Sequence, residues 1–411
     1  FIPQRGLYVN IFMKPYTSGL FGTLSGSPAS NVATTGTFTI PMMKKMGYSP
    51  QFAAGVEASA SNGGQLLPPV MGVAAFVMAE MLRIKYVEVC YVAFIPAILY
   101  YIFIFLQVDF EAGRKRLHGL PISELPSFKN TIKNGYIHLV PVIVLIYFLF
   151  FLRRSPELSA FWATVSVFLV TVFSKKTRLS LIKITNVLEE TGKFLVIVGL
   201  SCAMAGLMMG SVSLTAIALS ISGNIVNFAG GNLFLLLLLA ALASFVFGMG
   251  MTSIPCYIFV AIMVAPALEQ MGIRTIAAHL FVFWLAIASF ITPPVCLAAY
   301  VAAAISKTSP MLAGVYATRL GIGNFIIPFA FIYNPGLILN DTPLKIALVI
   351  TFTIVGIFSI AVGFEGYLFK KLPWWQRILF LISGILLFFP NWWIRRLGNA
   401  HRQNFVDIFK R

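Results

Sequence analysis

Four short clusters of Gly, Pro and hydroxyl residues interrupt the apolar runs of this chain. They are GTLSGS at 22–27, GGQLLPP at 63–69, GMGMTS at 248–253 and ITPP at 291–294. Gly and Pro break helices and leave backbone N–H and C=O groups without intrahelical partners. In hydrocarbon such groups must be satisfied within the protein, so broken backbone at membrane depth belongs where it lines an enclosed site. The chain is of the membrane kind: 59% of its 411 residues are hydrophobic and only 10% are charged. A soluble domain carries about 25% charged residues. The fold class expected is an all-α polytopic membrane protein.

The clusters are not independent. Sliding the chain over itself by 225 residues puts Pro41 on Pro266, Met46-Gly47 on Met271-Gly272 and Pro68-Pro69-Val70 on Pro293-Pro294-Val295. Ala53 then falls on Ala278, Ala74 on Ala299, and Ser27 on Thr252, a hydroxyl for a hydroxyl. Three Pro and one Gly in register, within matches that run from 27 to 74, indicate a structural duplication. Duplicated membrane halves with interrupted helices point to a secondary transporter.

Between the breaks, 86–108, 135–152 and 158–173 read as spans, and 174–193 as an amphipathic helix at the membrane surface. Later apolar stretches are 232–247, 256–268, 276–305, 344–363 and a short one at 378–390. The tail 391–411 carries five Lys/Arg and is expected outside the bilayer. The formal charge of +17 is concentrated between apolar runs, so anionic lipid is the partner it implies, and nucleic acid is not expected. The connectors 109–134 and 174–193 hold five Lys/Arg each, against two in RRSPE at 153–157. The first two are therefore expected on the cytoplasmic side.

At the breaks the sequence resembles a known family. GLFGTLSGSPASNVATTGTFTIPMMKKMGY (19–48) with FAAGVEASASNGGQLLPPVMGVAAF (52–76) resembles one half-signature of the large membrane subunit of tripartite ATP-independent periplasmic (TRAP) transporters. GMGMTSIPCYIFVAIMVAPALEQMGI (248–273), AAHLFVFWLAIASFITPPVCLAAYVAAAI (277–305) and ATRLGIGNFIIPFAFIYNP (317–335) resemble the other. The forms around 63–72 and 279–294 are most similar to fused permeases that work with TAXI-class binding proteins. The resemblance covers about 18–340, from the first hairpin onward.

That resemblance implies an inverted repeat with re-entrant hairpins and an elevator-type motion. It implies sodium-coupled symport of an organic acid, such as a dicarboxylate, a 2-oxoacid or an amino acid, across a bacterial or archaeal cytoplasmic membrane. The implied partners are an extracytoplasmic TAXI-type binding protein and small-subunit helices, the latter expected on polypeptide preceding Phe1. The resulting organisation is 1–17, a divergent N-terminal segment; 18–82, the first transport region; 83–193, scaffold helices and basic connectors; 194–305, the second transport region; 306–343, a re-entrant connection; and 344–411, C-terminal helices and a basic tail.

The resemblance places the first break at a hairpin tip near sodium. Hydroxyl and amide oxygens are suitable hard ligands for that ion. Candidate sodium residues are Ser25, Gly26, Ser27 and Asn31, with Gly248, Gly250, Thr252, Thr292 and Pro293 in the second half. Candidate substrate contacts are Ser25, Asn31, Thr34, Gly64 and Thr292. The plainer alternative is that small residues only pack helices closely and Pro only shapes them. Glu57 is an intramembrane carboxylate, a functional candidate by cost. Its position ten residues after Gly47 favours the interface instead. His279 is expected as a packed polar residue near a helix start, and Arg274 and Arg319 are the nearest cations to the breaks.

Sodium is the only ion expected, as coupling ion, with no cofactor. No Walker A lysine or HExxH motif is present, and the four Cys have no CxxC spacing. A membrane-embedded enzyme or an inert structural fragment are the alternatives. The thirteen acidic residues are too scattered to build an enzyme site at a membrane face.

Overall fold

The computed structural model describes residues 18–117, 135–173 and 180–388. The described residues form helices and connections, with one isolated bridge between Tyr367 and Lys371. The first half contains α1 (18–25), α2 (Pro28–Lys45), α3 (Pro50–Gly63), α4 (Val73–Leu82) and α5 (Tyr86–Lys115). A helical pair follows, α6 (Val140–Ile146) and α7 (Pro156–Phe173), and then the long α8 (Leu181–Thr215) and α9 (Ile217–Ala229). The second half contains α10 (Leu233–Gly248), α11 (Ser253–Gln270), α12 (Thr275–Ala288), α13 (Leu297–Ser306), α14 (Pro310–Leu320) and α15 (Gly323–Tyr333). The hairpin α16 (Pro343–Glu365) and α17 (Trp374–Leu387) closes the described chain.

Helix starts follow local chemistry. Ser27-Pro28, Ser49-Pro50, Ser309-Pro310 and Thr342-Pro343 each put a hydroxyl residue at the N-cap and Pro at the start of the helix. Pro there has the right φ and lacks only an N–H that would be an orphan anyway. Gly47 and Gly272 turn the chain between paired helices at φ +95° and +81°, conformations that a Cβ would strain.

The 225-residue offset reaches the helix ends. Pro28 and Lys45 bound α2, and Ser253 and Gln270 bound α11 (253 − 28 = 270 − 45 = 225). Pro50 and Gly63 bound α3, and Thr275 and Ala288 bound α12, at the same offset (275 − 50 = 288 − 63 = 225). Pro41 and Pro266 lie inside their helices at matching points, and both Pro-Pro bonds are cis. The offset then falls by one: α4 begins at Val73 and α13 at Leu297 (297 − 73 = 224). The cause is a turn one residue shorter, 289–296 against 64–72. Ala74 therefore corresponds by helix position to Ala298, not to Ala299 as the gapless comparison expects. The two halves also exchange elements. α13 packs on α2 and α3 and α14 packs on α3, while α4 packs on α11 and α12.

Five helical stretches are long and apolar enough to cross a membrane: Tyr86–Lys115, Ile182–Val212, Ser253–Gln270, Pro310–Tyr333 and Pro343–Glu365. Exposed Phe161, Leu169, Leu195, Leu207 and Leu242 give α7, α8 and α10 apolar outer faces. Together these describe an all-α polytopic membrane protein.

Several boundaries differ from expectation. α5 continues to Lys115 rather than ending near 108, because Arg114 and Lys115 pair back to Glu111 one turn earlier. Residues 181–193 open the 35-residue α8 instead of forming a separate surface helix. Their charges fit within a helix because Lys193 pairs with Glu189 at 2.6 Å, four residues apart. The 135–152 run is not a uniform span but 3-10 helix, α-helix and π-helix in succession. The last helix starts at Trp374, ahead of the expected 378. The expected segment 1–17, the connector residues 118–134 and 174–179, and the tail 391–411 lie outside the described residues.

Candidate functional site

The first break is built by two glycine contacts. Gly26 turns the tip between α1 and α2 at φ +64°. A Cβ on Gly64 would come within 2.6 Å of the Gly22 backbone, and one on Gly26 would lie 3.2 Å from Gly72 Cα. The α1–α2 hairpin tip thus rests directly on the turn that joins α3 to α4. Only glycine permits two backbones to approach this closely. On the far side, Tyr100 and Tyr101 of α5 donate to the carbonyls of Ser59 and Ala60 at 2.9 and 2.8 Å. The Tyr100 ring also meets Trp284 of α12 edge-on at 6.1 Å, which ties the two halves together.

Beneath the tip lies a buried polar cage. Asn31, Thr35 and Thr39 are spaced four apart on one face of α2, opposite Glu57 and Ser61 on α3. Glu57 is 1% exposed, enclosed by protein. Its Oε1 accepts from Ser18 Oγ at 2.8 Å, Thr35 Oγ1 at 2.5 Å and Ser61 Oγ at 3.4 Å. Its Oε2 accepts from Thr39 Oγ1 at 2.6 Å. Asn31 Nδ2 donates to Ser18 O at 2.9 Å and Ser61 Oγ at 2.8 Å, while Asn31 Oδ1 is buried without a partner. Both amide atoms of Gln65, in the break itself, are also buried and unpartnered.

The predicted residues of this half fall into two groups. Ser25, Gly26 and Ser27 form the tip; Ser25 Oγ donates to Gly22 O at 3.4 Å and Ser27 Oγ accepts from Ser30 N at 3.5 Å. Asn31 points inward and Gly64 is buried under Gly22. Thr34 does not join them: it is exposed, and its hydroxyl donates to Ser30 O at 3.0 Å. Ser18, Thr35, Thr39 and Ser61 escaped the sequence reading. The i, i+4 spacing of 31, 35 and 39 was the signal for two of them.

The second break has a different chemistry. Gly248 is pressed on Ala286, where a Cβ would lie 2.6 Å from its carbonyl oxygen. Ser289 Oγ donates to Gly248 O at 3.0 Å or Ala286 O at 2.7 Å. Gly250, at φ +79°, has open space around it, and Thr252 stands exposed at the N-cap of α11. Thr292 Oγ1 donates to Ala288 O at 2.8 Å, and Pro293 packs against Gly314. The positions 225 residues after Asn31, Thr35, Glu57 and Ser61 hold Cys256, Val260, Val282 and Ala286. The cage has no counterpart there.

The other candidates are placed as follows. His279 lies near the start of α12, with Nδ1 2.6 Å from the buried Tyr257 hydroxyl, a packed polar residue as expected. Arg319 pairs with the fully buried Glu365 at 2.7 Å and donates to Phe364 O at 3.2 Å, so it braces α14 on α16. A separate cavity of about 810 Å³ lies between the α4–α5 junction and the 153–157 link. Lys85, Arg153 and Arg154 line it with Glu80, Glu88 and Glu157.

Comparison with known proteins gives two family matches. Residues 8–344 match the model described as tripartite ATP-independent periplasmic transporter, DctM component, and 346–406 match a domain of unknown function, DUF3394. A curated relative is the C4-dicarboxylate TRAP transporter large permease protein DctM of Pseudomonas aeruginosa, 24% identical over 288 residues. That alignment takes in 70% of this chain and 66% of the relative, so the chain spans just under two thirds of the relative's length.

Proposed function

We propose that this chain, which belongs to the DctM-component family of tripartite ATP-independent periplasmic transporters, forms the membrane body of a secondary transporter for an organic anion. The observation that carries the reading is the first break. A hairpin tip rests on a helix interruption through bare backbone, over buried hydroxyl and amide oxygens. Such a tip can lift or seat as one piece, and the oxygens it covers suit a hard monovalent cation. Sodium is the coupling ion of this reading, held around Ser25, Gly26, Ser27 and Asn31. The second site lies around Gly248, Gly250, Thr252, Thr292 and Pro293.

The relative is named for C4-dicarboxylates, and that substrate class is the first to test here. No Lys or Arg lies in the breaks. The N-termini of α2 and α11 supply backbone N–H groups and the positive end of the helix dipole for a carboxylate. The lateral cavity carries Lys85, Arg153 and Arg154 against Glu80, Glu88 and Glu157, so its lining is balanced in charge and gives an anion no net attraction. A binding protein of the TAXI class delivers substrate from outside, small-subunit helices complete the assembly, and the membrane is the bacterial or archaeal cytoplasmic one. Opposite orientation of the two halves gives alternating access.

The test is uptake of a labelled C4-dicarboxylate by the complete transporter in proteoliposomes, with its binding protein outside. Accumulation that needs an inward sodium gradient supports the reading. Equal uptake with sodium absent on both sides overturns sodium coupling.

A further inference from the structure

We propose that Glu57 is a proton-binding site: its carboxyl group takes up and gives up one proton, and the position of the α1–α2 hairpin governs the exchange. Three observations lead there.

The first is isolation. Glu57 is almost fully buried, and among the described residues no cation faces it from any element packed on α3. Lys44, at the far end of α2, donates to Ser306 O at 3.1 Å. From α13, Ile305 approaches beside Gly36, and the Tyr300 hydroxyl is turned to Pro294 O. On α14, Arg319 is held by Glu365, and Tyr316 presents its β-carbon to Gly55. From α5, Tyr101 is the titratable neighbour, and its hydroxyl is given to Ala60 O. A carboxylate fixed permanently in its ionised form would be expected to carry a paired cation at such depth.

The second is the proton inventory. Thr35 Oγ1 is placed to donate either to Glu57 at 2.5 Å or to Asn31 O at 2.8 Å, and one hydroxyl proton can serve only one of them. Thr39 Oγ1 has the same choice between Glu57 at 2.6 Å and Thr35 O at 3.1 Å. With Glu57 ionised, both threonines and Ser18 donate to it. With Glu57 protonated, the new O–H donates to Thr35 or Thr39, and that hydroxyl turns to its helix carbonyl. Both forms are fully hydrogen-bonded without moving a heavy atom, so neither is trapped by an unmade bond.

The third is the source of the donors. Ser18, Thr35 and Thr39 all belong to the hairpin, and only Ser61 shares α3 with Glu57. Lifting the hairpin would replace three fixed donors by water. Protonation and hairpin position are thereby linked, and each must bias the other. The buried, unpartnered Asn31 Oδ1 beside the cage leaves room for the network to rearrange. The second half has Val282 at the matching position, so this site is single. Asn31 adjoins this network and is also among the proposed sodium residues, so proton binding is tested with sodium absent.

The test is infrared difference spectroscopy of the purified full chain in lipid nanodiscs, titrated between about pH 5 and pH 9 in sodium-free buffer. It needs no substrate or binding protein, so it can fail while transport stands, and the reverse. A carboxylic C=O band should grow as pH falls and be lost in Glu57→Gln. Thr39→Val removes a donor to the anion and should raise the midpoint by about one pH unit. A C=O difference band that is absent, or that persists unchanged in Glu57→Gln, overturns the proposal. Should Glu57→Gln fail to fold, Thr39→Val decides: an unmoved midpoint overturns it, and an upward shift supports it.

Discussion

Ser27 and Thr252 stand at the same point of two repeated helices, the N-cap of α2 and the N-cap of α11, 225 residues apart (252 − 27 = 225). A positive-φ glycine lies just ahead of each, Gly26 immediately before Ser27 and Gly250 two residues before Thr252. The surroundings differ: Gly26 is covered by Gly72, while Gly250 has open space. The second tip makes its close backbone contact two residues earlier, where Gly248 is pressed on Ala286.

The seat depends on missing side chains. Gly64→Ala would drive a methyl group into the backbone of Gly22, with no flexible side chain to yield. The expected cost is about 1–3 kcal/mol. Thermal unfolding of the purified protein should show a lower midpoint, with hydrogen exchange rising first in α1. Gly192→Ala, which has open space and an ordinary φ, should leave both unchanged.

The brace between the repeat and the C-terminal hairpin is also measurable. Arg319→Met would strip the partner from Glu365, which is buried in the C-terminal turn of α16. Breaking a buried pair costs about 3–5 kcal/mol. The lower end applies here, because Arg319 is 26% exposed. Adding Glu365→Gln to Arg319→Met should recover part of the lost thermal stability. A double variant no more stable than Arg319→Met alone would assign the loss to packing.

Much of this architecture could be read from prolines. Pro41 with Pro266, and Pro68-Pro69 with Pro293-Pro294, marked a duplication whose helix ends then agree to the residue across α2, α3, α11 and α12. The one-residue shortening after Ala288 could not be seen, because in an apolar chain Ala74 matches Ala298 as well as Ala299. The partners of Glu57 could not be read from its neighbourhood in sequence, because most of the groups that bury and satisfy it come from α1 and α2, as many as 39 residues away. Thr34 was grouped with Asn31 by i, i+3 spacing, but it lies at the solvent edge of that face, where it is exposed and its hydroxyl donates to Ser30 O. The pairing of Arg319 with Glu365 spans 46 residues (365 − 319) and left no local pattern to find.

Orientation is open to direct test. Single cysteines replacing Gly47 or Gly272, in a background without the four native cysteines, should be labelled from opposite faces of right-side-out vesicles. Labelling of both by an impermeant reagent from one face would remove the inverted relation between the halves. By the charge count, connector positions within 109–134 and 174–193 should be protected in the same vesicles.

The most direct measurement of the central claim is the sodium dependence of uptake in proteoliposomes for Ser27→Ala and Thr252→Ala, at fixed labelled C4-dicarboxylate and with the binding protein present. Losing one neutral ligand costs about 1–3 kcal/mol when its partner stays unsatisfied, or roughly a 5- to 150-fold loss of sodium affinity. Linkage requires substrate affinity to fall at low sodium and to recover partly at high sodium. The account predicts both effects at normal protein abundance. Sodium titrations that match the unmutated protein for both variants would contradict a coupling-ion role for these two side chains.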